Sequence, residues 1–315
     1  MGRFVVRRLI QMLLVMFAVS VLTFLIFNVI PNGDPEVRMA GRQANESTIA
    51  AIREEWGFDE NLVVQYVTTM KKVFTGDLQS YYTQLPVGEE ILKGLPRTIS
   101  LAVGAALLWM FVAICLGLYS AVKAGRFADR FLTIIALVGI SMPVFWVGAL
   151  MSYYLGFKLG WFPNGGYVEL TEDPIDWAYH LILPWTALAI LFIGFYSRVL
   201  RSNVLDTINE DYVRTARAKG LGERQILIRH VLRNSMIPIV TLWGLDFGAV
   251  VGGGAILTET VFDLQGVGQY AADAVGQLDV PPVLATTIFL AFFVTLMNAV
   301  VDILYAYLDP RIRLQ

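Results

Sequence analysis

The stretch DYVRTARAKGLGERQILIRHVLRNSMIPIV, residues 211–240, decides how this chain is folded, because it is a basic segment set between long apolar runs. Its first half carries four basic side chains and only two acidic ones. Residues Tyr212 to Lys219 contain neither Pro nor Gly and predict a short helix, which Gly220 ends because glycine readily adopts the left-handed conformation. Residues Glu223 to Asn234 predict a second helix after this break. The stretch therefore reads as a two-helix element.

The composition of the chain indicates an integral membrane protein. Of 315 residues, 56% are hydrophobic and only 16% are charged, whereas a soluble domain averages about 25% charged residues. The mean hydropathy is +0.60. The single cysteine excludes a disulfide framework, and the two histidines are too few and too far apart to suggest a metal cluster.

Six apolar runs are long enough to cross a membrane, since about 20 helical residues span a hydrocarbon core of about 30 Å. The first run resembles a signal peptide, but its roughly 22 residues exceed the ~7–15 of such a segment, so we expect a retained span. Pro143 lies inside the third run and predicts a kink there. The predicted spans are about 9–30, 98–122, 131–157, 180–199, 236–257 and 283–308.

Lysine and arginine are distributed unevenly between the segments that connect these spans. If the N-terminus is cytoplasmic, 16 of the 24 basic residues fall in cytoplasmic segments, eight of them in 198–235. The acidic residues run the other way, with 18 of 26 in the external segments. The positive-inside rule therefore predicts that both termini and the 211–240 stretch are cytoplasmic.

The external segment 31–97 is too long for a bare loop and carries helical patterning. STIAAIREEW predicts a helix capped by Ser47 or Thr48, and residues 62–74 form a second apolar-periodic stretch. We therefore divide the chain into a first span with an external helical cap, a membrane core with a cytoplasmic loop at about 200–235, and a cytoplasmic tail. The predicted segments are 1–97, 98–308 and 309–315.

Two short helices at a tight turn form a rigid knob at the inner face of the membrane. A rigid knob transmits a push that a flexible loop would absorb, and the small residues Ala216, Ala218 and Gly220 permit close approach of a partner surface. The alternative is a basic loop that only contacts anionic lipid headgroups, as any positively charged inner loop would. The residues by themselves leave both interpretations open.

The same stretch resembles the EAA loop of binding-protein-dependent ABC importer permeases. Aligned on Gly220, the family pattern Glu-Ala-Ala falls on Arg214, Thr215 and Ala216, so only Ala216 and Gly220 match strictly. This departure is the form found in the dipeptide, oligopeptide and nickel branch, which RHVLRNSMIPIVT also resembles. Other stretches similar to that branch extend over nearly the whole chain, among them LPRTISLAV (95–103), SMPVFW (141–146) and GGGAILTETVFDLQGVGQY (252–270).

The resemblance implies an all-α integral membrane fold of six transmembrane helices, the type I ABC importer fold, with a small external helical domain between spans 1 and 2. It implies a non-catalytic permease subunit in a prokaryotic plasma membrane, forming a path for di- or oligopeptides. ATP and Mg²⁺ are expected on partner subunits and no cofactor on this chain, which has no G-x-x-x-x-G-K-[ST] sequence.

The implied partners are a homologous second permease subunit, two ATP-binding subunits, an extracytoplasmic solute-binding protein, the peptide and membrane lipid, with no nucleic acid. The ATP-binding subunits are expected to grip the 211–238 segment, which we call the coupling segment. By resemblance, the residues that contact the ATPase are Tyr212, Arg214, Thr215, Ala216, Arg217, Lys219, Gly220 and Leu221.

The fifth predicted span, IVTLWGLDFGAVVGGGAIL, contains an acidic residue where the family usually has an uncharged polar one. Helical spacing places Trp243, Asp246, Val250 and Gly253 near one stripe, a candidate lining of the translocation path. Asp246 either faces a water-filled cavity and meets a cationic group such as a peptide N-terminus, or is paired structurally or protonated. The three glycines at 252–254 either permit close helix packing or act as a hinge.

Nickel or another small solute is the alternative cargo within the branch, and peptides are favoured because neither His180 nor His230 makes a convincing metal path. An integral membrane enzyme would need convergent catalytic groups near one membrane face, and neither H-E-x-x-H nor G-x-S-x-G occurs. A channel would have no use for a cytoplasmic docking knob. The sequence therefore predicts no catalytic residue and no metal ligand.

Overall fold

The structure is a computed structural model that describes residues 2–28, 35–40 and 45–308, most of them helical. The predicted tail 309–315 lies outside the described residues. The helices are α1 (Gly2–Asn28), α2 (Pro35–Ala40), α3 (Glu46–Trp56), α4 (Leu62–Thr75), α5 (Val87–Val122), α6 (Phe127–Ser141), α7 (Val144–Met151), α8 (Pro174–Thr207), α9 (Asp211–Ala218), α10 (Glu223–Gln225), α11 (Arg233–Ala249), α12 (Ile256–Val261), α13 (Val267–Gln277) and α14 (Val280–Leu308). Turns of π-helix extend α7 (Ser152–Lys158), join α10 to α11 (Ile226–Leu232) and follow α11 (Val250–Gly254).

Within the described residues, five helices are long and apolar enough to cross a membrane, and one sharply bent pair is the candidate for a sixth span. These correspond in order to the six predicted spans, so the all-α membrane fold is confirmed. The five are Val5–Phe27, Val87–Val122, Pro174–Thr207, Glu223–Gly254 and Val280–Ile303, and the bent pair is Phe127–Ser141 with Val144–Lys158.

The third span is broken rather than kinked. Its two halves meet at an angle of 99°, so the predicted kink at Pro143 is in the right place but is a complete break of the helix. At the break, Met142 (ψ 130°) and Pro143 (ψ 132°) both have extended rather than helical backbone. Proline has no N–H to continue the helical ladder and disfavours helical geometry at the residue before it, so α6 ends at Ser141.

Two other spans begin earlier than predicted. Helix α5 starts at Val87 instead of residue 98, so the predicted boundary between residues 97 and 98 falls inside one continuous helix. The charged residues of its first three turns and Pro96 in its interior concealed this start. Helix α8 starts at Pro174 instead of residue 180, because Asp173 caps it by accepting from the backbone N–H groups of Ile175 and Asp176.

The coupling segment is fused to the fifth span. Its second helix does not end near Asn234, as predicted, but continues through Pro238 to form the single helix Glu223–Gly254. Val231 and Ser235 are buried at the predicted junction. Packing on both sides of the junction holds the backbone helical, so a proline in the interior costs one hydrogen bond without ending the helix.

The segment between the first two spans is helical, as predicted, in its described part. Helix α3 begins at Glu46 and its cap is Asn45, whose side chain accepts from the backbone N–H of Thr48 at 2.9 Å; the prediction of a Ser47 or Thr48 cap is therefore wrong by two or three positions. Helix α4 lies against α1, since the Tyr66 hydroxyl is 2.8 Å from the Ser20 hydroxyl.

The core of the bundle lies between α5 and α8. Leu101, Trp109, Leu188 and Tyr196 are all buried there, and the Trp109 ring stacks on Phe192 with ring centroids 4.3 Å apart. The two helices approach closely because a Cβ at Gly104 would lie 2.0 Å from the Trp185 ring. The Trp185 indole N–H donates to the Ser100 carbonyl at 2.9 Å.

An ion pair between a buried carboxylate and a half-buried arginine joins α6 to α8 near the α9 end of the bundle. Asp129 is 3% exposed, and the Arg201 guanidinium donates to both of its carboxylate oxygens, at 2.6 and 2.8 Å. The Ser120 hydroxyl and the backbone N–H of Gly125 also donate to this carboxylate. The end of α5, the turn after it and the start of α6 are therefore all tied to α8.

A second buried carboxylate lies beyond Gly254, at the opposite end of the bundle. Glu259 is 0% exposed and accepts from the Thr98 hydroxyl at 2.7 Å, the backbone N–H of Gln269 at 2.8 Å and that of Gly268. Thr98 in turn accepts from the N–H of Val267 at 2.9 Å. Glu259 thus caps α13 and joins it to α5, and burial raises the pKa of its carboxyl above the usual range despite these donors.

Candidate coupling segment and membrane path

Helix α9 is a short amphipathic element held against the bundle. It runs from Asp211 to Ala218, close to the predicted Tyr212–Lys219. Val213 and Ala216, three residues apart, are buried in the main core. In the π-helical stretch after α10, Ile226 and Val231 are buried in the same core. The predicted two-helix element is therefore packed onto the membrane core rather than suspended from it.

The turn between α9 and α10 depends on one glycine. Gly220 has φ of +81°, in the left-handed region that residues with a Cβ rarely adopt. A Cβ built on Gly220 would meet nothing within 4 Å. A substitution there is therefore opposed by backbone conformation alone, which makes the position suitable for a conformational test.

Two contacts outside the core brace this turn. The Arg217 guanidinium donates to both carboxylate oxygens of Glu223, at 2.6 and 3.2 Å, and so bridges α9 and α10. The Asn234 amide donates to the Tyr212 hydroxyl at 2.6 Å. A bidentate arginine pair has a fixed geometry, although its exposure limits its contribution to stability. The coupling segment is therefore a braced unit with a charged outer surface.

The eight residues predicted to contact an ATPase differ in exposure. Leu221 is half-buried. Ala216 is 6% exposed and its methyl group points into the core, so it supports α9 from within and contributes little to the outer surface. The exposed members are Tyr212, Arg214, Thr215, Arg217, Lys219 and Gly220.

The four residues of the predicted path differ in burial and in their contacts. The Trp243 indole N–H donates to the Ala106 carbonyl at 3.1 Å, which ties the fifth span to α5. Val250 is 2% exposed and belongs to the core. Gly253 has φ of +124°, where the helix Glu223–Gly254 reaches its end. Trp243 and Val250 therefore secure the span, and Asp246 is the chemically distinctive member.

Asp246 has an intramolecular partner that sequence reasoning missed. The buried Tyr196 hydroxyl donates to its carboxylate at 2.6 Å, which joins the fifth span to α8. The available signal was a tyrosine in an otherwise apolar run, since a buried hydroxyl requires a partner. Asp246 itself is half-buried, so part of its surface remains open beside this hydrogen bond.

The glycines at 252–254 serve both packing and bending. A Cβ at Gly252 would lie 2.1 Å from the Val294 side chain, so this position lets α14 approach closely. Gly253 supplies the positive φ that breaks the helix. Among the residues that the structure describes, no group of three or more His, Cys, Asp or Glu side chains is placed to hold a metal ion.

Comparison with known proteins identifies the family. The model of the binding-protein-dependent transport system inner membrane component matches residues 113–314, and the model of the N-terminal part of such membrane components matches residues 1–102. The chain belongs to this family. It is accordingly a multi-pass permease subunit of a binding-protein-dependent transport system in the cytoplasmic membrane.

Relatives cover the permease almost end to end. A probable peptide ABC transporter permease of Sinorhizobium fredii is 37% identical over 99% of this chain and 100% of its own. A dipeptide transport system permease of Alkalihalophilus pseudofirmus is 36% identical over 98% of this chain and 99% of its own. A probable D,D-dipeptide transport system permease of Escherichia coli is 37% identical over 96% and 94%. The similarity therefore includes the cap segment as well as the membrane core.

Proposed function

We propose that this permease subunit forms part of the path by which di- or oligopeptides enter the cell, and that the coupling segment links it to two ATP-binding subunits. The peptide cargo is supported by the names of the relatives, which are peptide and dipeptide permeases. The same names give no support to nickel as the cargo. A solute-binding protein delivers the peptide, and a second, homologous permease subunit completes the path.

The observation that carries the coupling proposal is the braced α9 unit on the end of the helix Glu223–Gly254. A partner that pushes on the exposed face of α9 acts on a membrane span, because the Arg217–Glu223 pair and the Asn234–Tyr212 hydrogen bond brace the short turn between them. The distribution of Lys and Arg supports a cytoplasmic location for this unit and for both termini. ATP and Mg²⁺ bind to the partner subunits, and this chain is not itself a catalyst.

Asp246 is the proposed contact for the peptide ammonium group. Its carboxylate already accepts from Tyr196 and retains acceptor capacity for a cation, since a carboxylate can accept about four hydrogen bonds. The same Tyr196 hydrogen bond also supports an alternative role for Asp246, which is to tie α8 to the fifth span. The role of Trp243, Val250 and Gly253 is to position this part of the span.

The test of coupling uses two substitutions at one residue. Gly220→Val places a β-branched side chain at φ of +81°, which such residues strongly disfavour, whereas Gly220→Asn is matched because asparagine tolerates this conformation. We expect Gly220→Val to insert normally, to lose co-purification with the ATP-binding subunits and to reduce ATP-driven uptake of a labelled dipeptide by at least about tenfold, a barrier change of roughly 1.4 kcal/mol.

Gly220→Asn should retain most of the uptake. Normal uptake by Gly220→Val would contradict the proposal and favour a loop that only contacts lipid headgroups. Labelling of Lys219→Cys by a membrane-impermeant thiol reagent checks the orientation, with Cys115→Ser in the background. Labelling from outside intact cells would contradict a cytoplasmic coupling segment.

A further inference from the structure

A groove of about 130 Å³ runs along the junction of α5, α6 and α8, on the membrane-spanning part of the molecule. Its lining is predominantly apolar and includes Leu116, Leu132, Ile135, Ile190 and Ile193. One end of the groove is different, because Arg198 and Arg201 line it together with hydroxyl-bearing side chains. The groove thus combines a long apolar section with a basic end.

The length of the groove follows from the antiparallel register of α6 and α8. Asp129 contacts Arg201, and a Cβ at Gly139 would touch Ile190. From Ile190 to Arg201, α8 advances by eleven residue positions and rises roughly 16 Å, about half of a hydrocarbon core of ~30 Å. The whole groove, from its apolar end at Ile190 to its basic end at Arg201, is therefore about as long as one leaflet of the bilayer is deep.

The two arginines at the basic end are in different states. Arg201 is neutralised by Asp129, which holds it with two hydrogen bonds. Arg198 is exposed and makes no ion pair with any residue that the structure describes. It directly follows the apolar run of α8, at the level where such a run meets the membrane surface. An unneutralised guanidinium at this depth is complementary to a phosphate group.

The open side of the groove is continuous with a surface that lies in the bilayer. Phe131, Ile134, Ile135 and Val138 of α6 are all exposed, and α6 belongs to the third span. A lipid that contacts this face can therefore enter the groove sideways without crossing a polar barrier.

We propose that this groove binds one anionic glycerophospholipid, with its phosphate against Arg198 and an acyl chain along the apolar section. Basic pockets between transmembrane helices bind anionic headgroups in this way. Because the lipid contacts α5, α6 and α8 at once, it stabilises the junction that Asp129 also secures. The site is independent of the peptide path and of the identity of the cargo.

The test measures lipid affinity of the purified full-length chain in detergent, by native mass spectrometry with added phosphatidylglycerol or phosphatidylcholine. We expect one tightly bound phosphatidylglycerol per chain, and about fivefold weaker binding in Arg198→Gln, as for one basic residue near a membrane surface. Arg233→Gln is the matched control, because Arg233 is an exposed arginine that does not line the groove. It should bind phosphatidylglycerol as the unchanged chain does.

A second variant tests the acyl chain separately. Thr133→Phe fills the groove while leaving Arg198 in place, so it should weaken binding of both lipids; Ile193→Trp replaces it if the first variant unfolds. Equal phosphatidylglycerol affinity in the unchanged chain and Arg198→Gln would overturn the proposal. Full affinity in the folded filling variant would reduce the site to a headgroup contact and overturn it as well. Loss of Arg198-dependent binding in the assembled transporter would show that a protein partner occupies the groove instead.

Discussion

Each end of the bundle buries a carboxylate, and the two carboxylates are stabilised by different kinds of partner. At the α9 end, Asp129 is paired with the arginine Arg201. At the α13 end, Glu259 has no arginine or lysine partner among the described residues and is held by a hydroxyl and by backbone N–H groups. Both carboxylates join segments that are far apart in the chain, so both are cross-links, but only one is a charge pair.

This difference predicts how much stability each junction loses when one partner is removed. A buried charge pair is destabilised most when one partner is removed, since the other remains as an uncompensated buried charge. A carboxylate at a helix N-terminus accepts hydrogen bonds from N–H groups that have no partner within the helix. Its loss leaves these neutral donors without a partner in an apolar environment. The charge pair should therefore be the more sensitive of the two.

The largest expected effect on stability comes from Arg201→Met. It keeps the apolar stem of the side chain and leaves Asp129 without its counter-ion, which should lower the free energy of unfolding by about 3 kcal/mol. Unfolding in mixed detergent and SDS micelles measures this difference. Arg233→Met is the matched control, because Arg233 is exposed and lies outside the groove, and it should change stability by less than about 0.5 kcal/mol. Equal stability of the two variants would show that removing the counter-ion of Asp129 does not lower the free energy of unfolding.

Glu259→Ala should have the next largest effect. It removes the acceptor for the Thr98 hydroxyl and for two N–H groups of α13, so we expect a loss of about 2 kcal/mol in the same unfolding experiment. Asp273→Ala is its control, because Asp273 is an exposed acid on α13. A loss no greater than that of Asp273→Ala would mean that α13 needs no cap from α12.

The smallest expected effect is a pH dependence carried by Glu259. Because burial raises the pKa of its carboxyl in the folded state, its contribution to stability is complete below the ordinary pKa of a glutamate and is lost as the pH rises through the folded-state pKa. Glu259→Gln does not titrate at this position. The stability of the unchanged chain relative to Glu259→Gln should therefore decline from acid to neutral pH. A constant difference across that range would disprove the raised pKa.

Long patterns made most of the fold predictable. Apolar runs of about 20 residues gave the spans in the right order, because spanning a bilayer imposes a length requirement that is visible in one sequence. The helix ending near Lys219 was equally visible, since Gly220 is a local signal. These features depend on neighbouring residues only.

Features that depend on distant partners were not predictable. Asp246 was recognised as unusual, but its contact with Tyr196 joins residues fifty positions apart. Glu259 stands 161 residues from Thr98, and nothing near it in the sequence distinguishes a cap from a solvated acid. The break at Pro143 was placed correctly, but its angle of 99° depends on the packing of α6 and α7 against α8.

The helix Glu223–Gly254 has a geometric consequence for the partner subunits. Its 32 residues amount to a rod about 48 Å long. Pivoting such a rod by roughly 5° at its α9 end sweeps the Gly254 end through about 4 Å, close to the diameter of a methyl group. A small rotation of the coupling segment would thus become a displacement of several ångströms at the Gly254 end. That displacement is large enough to change the width of the path on the opposite side of the membrane.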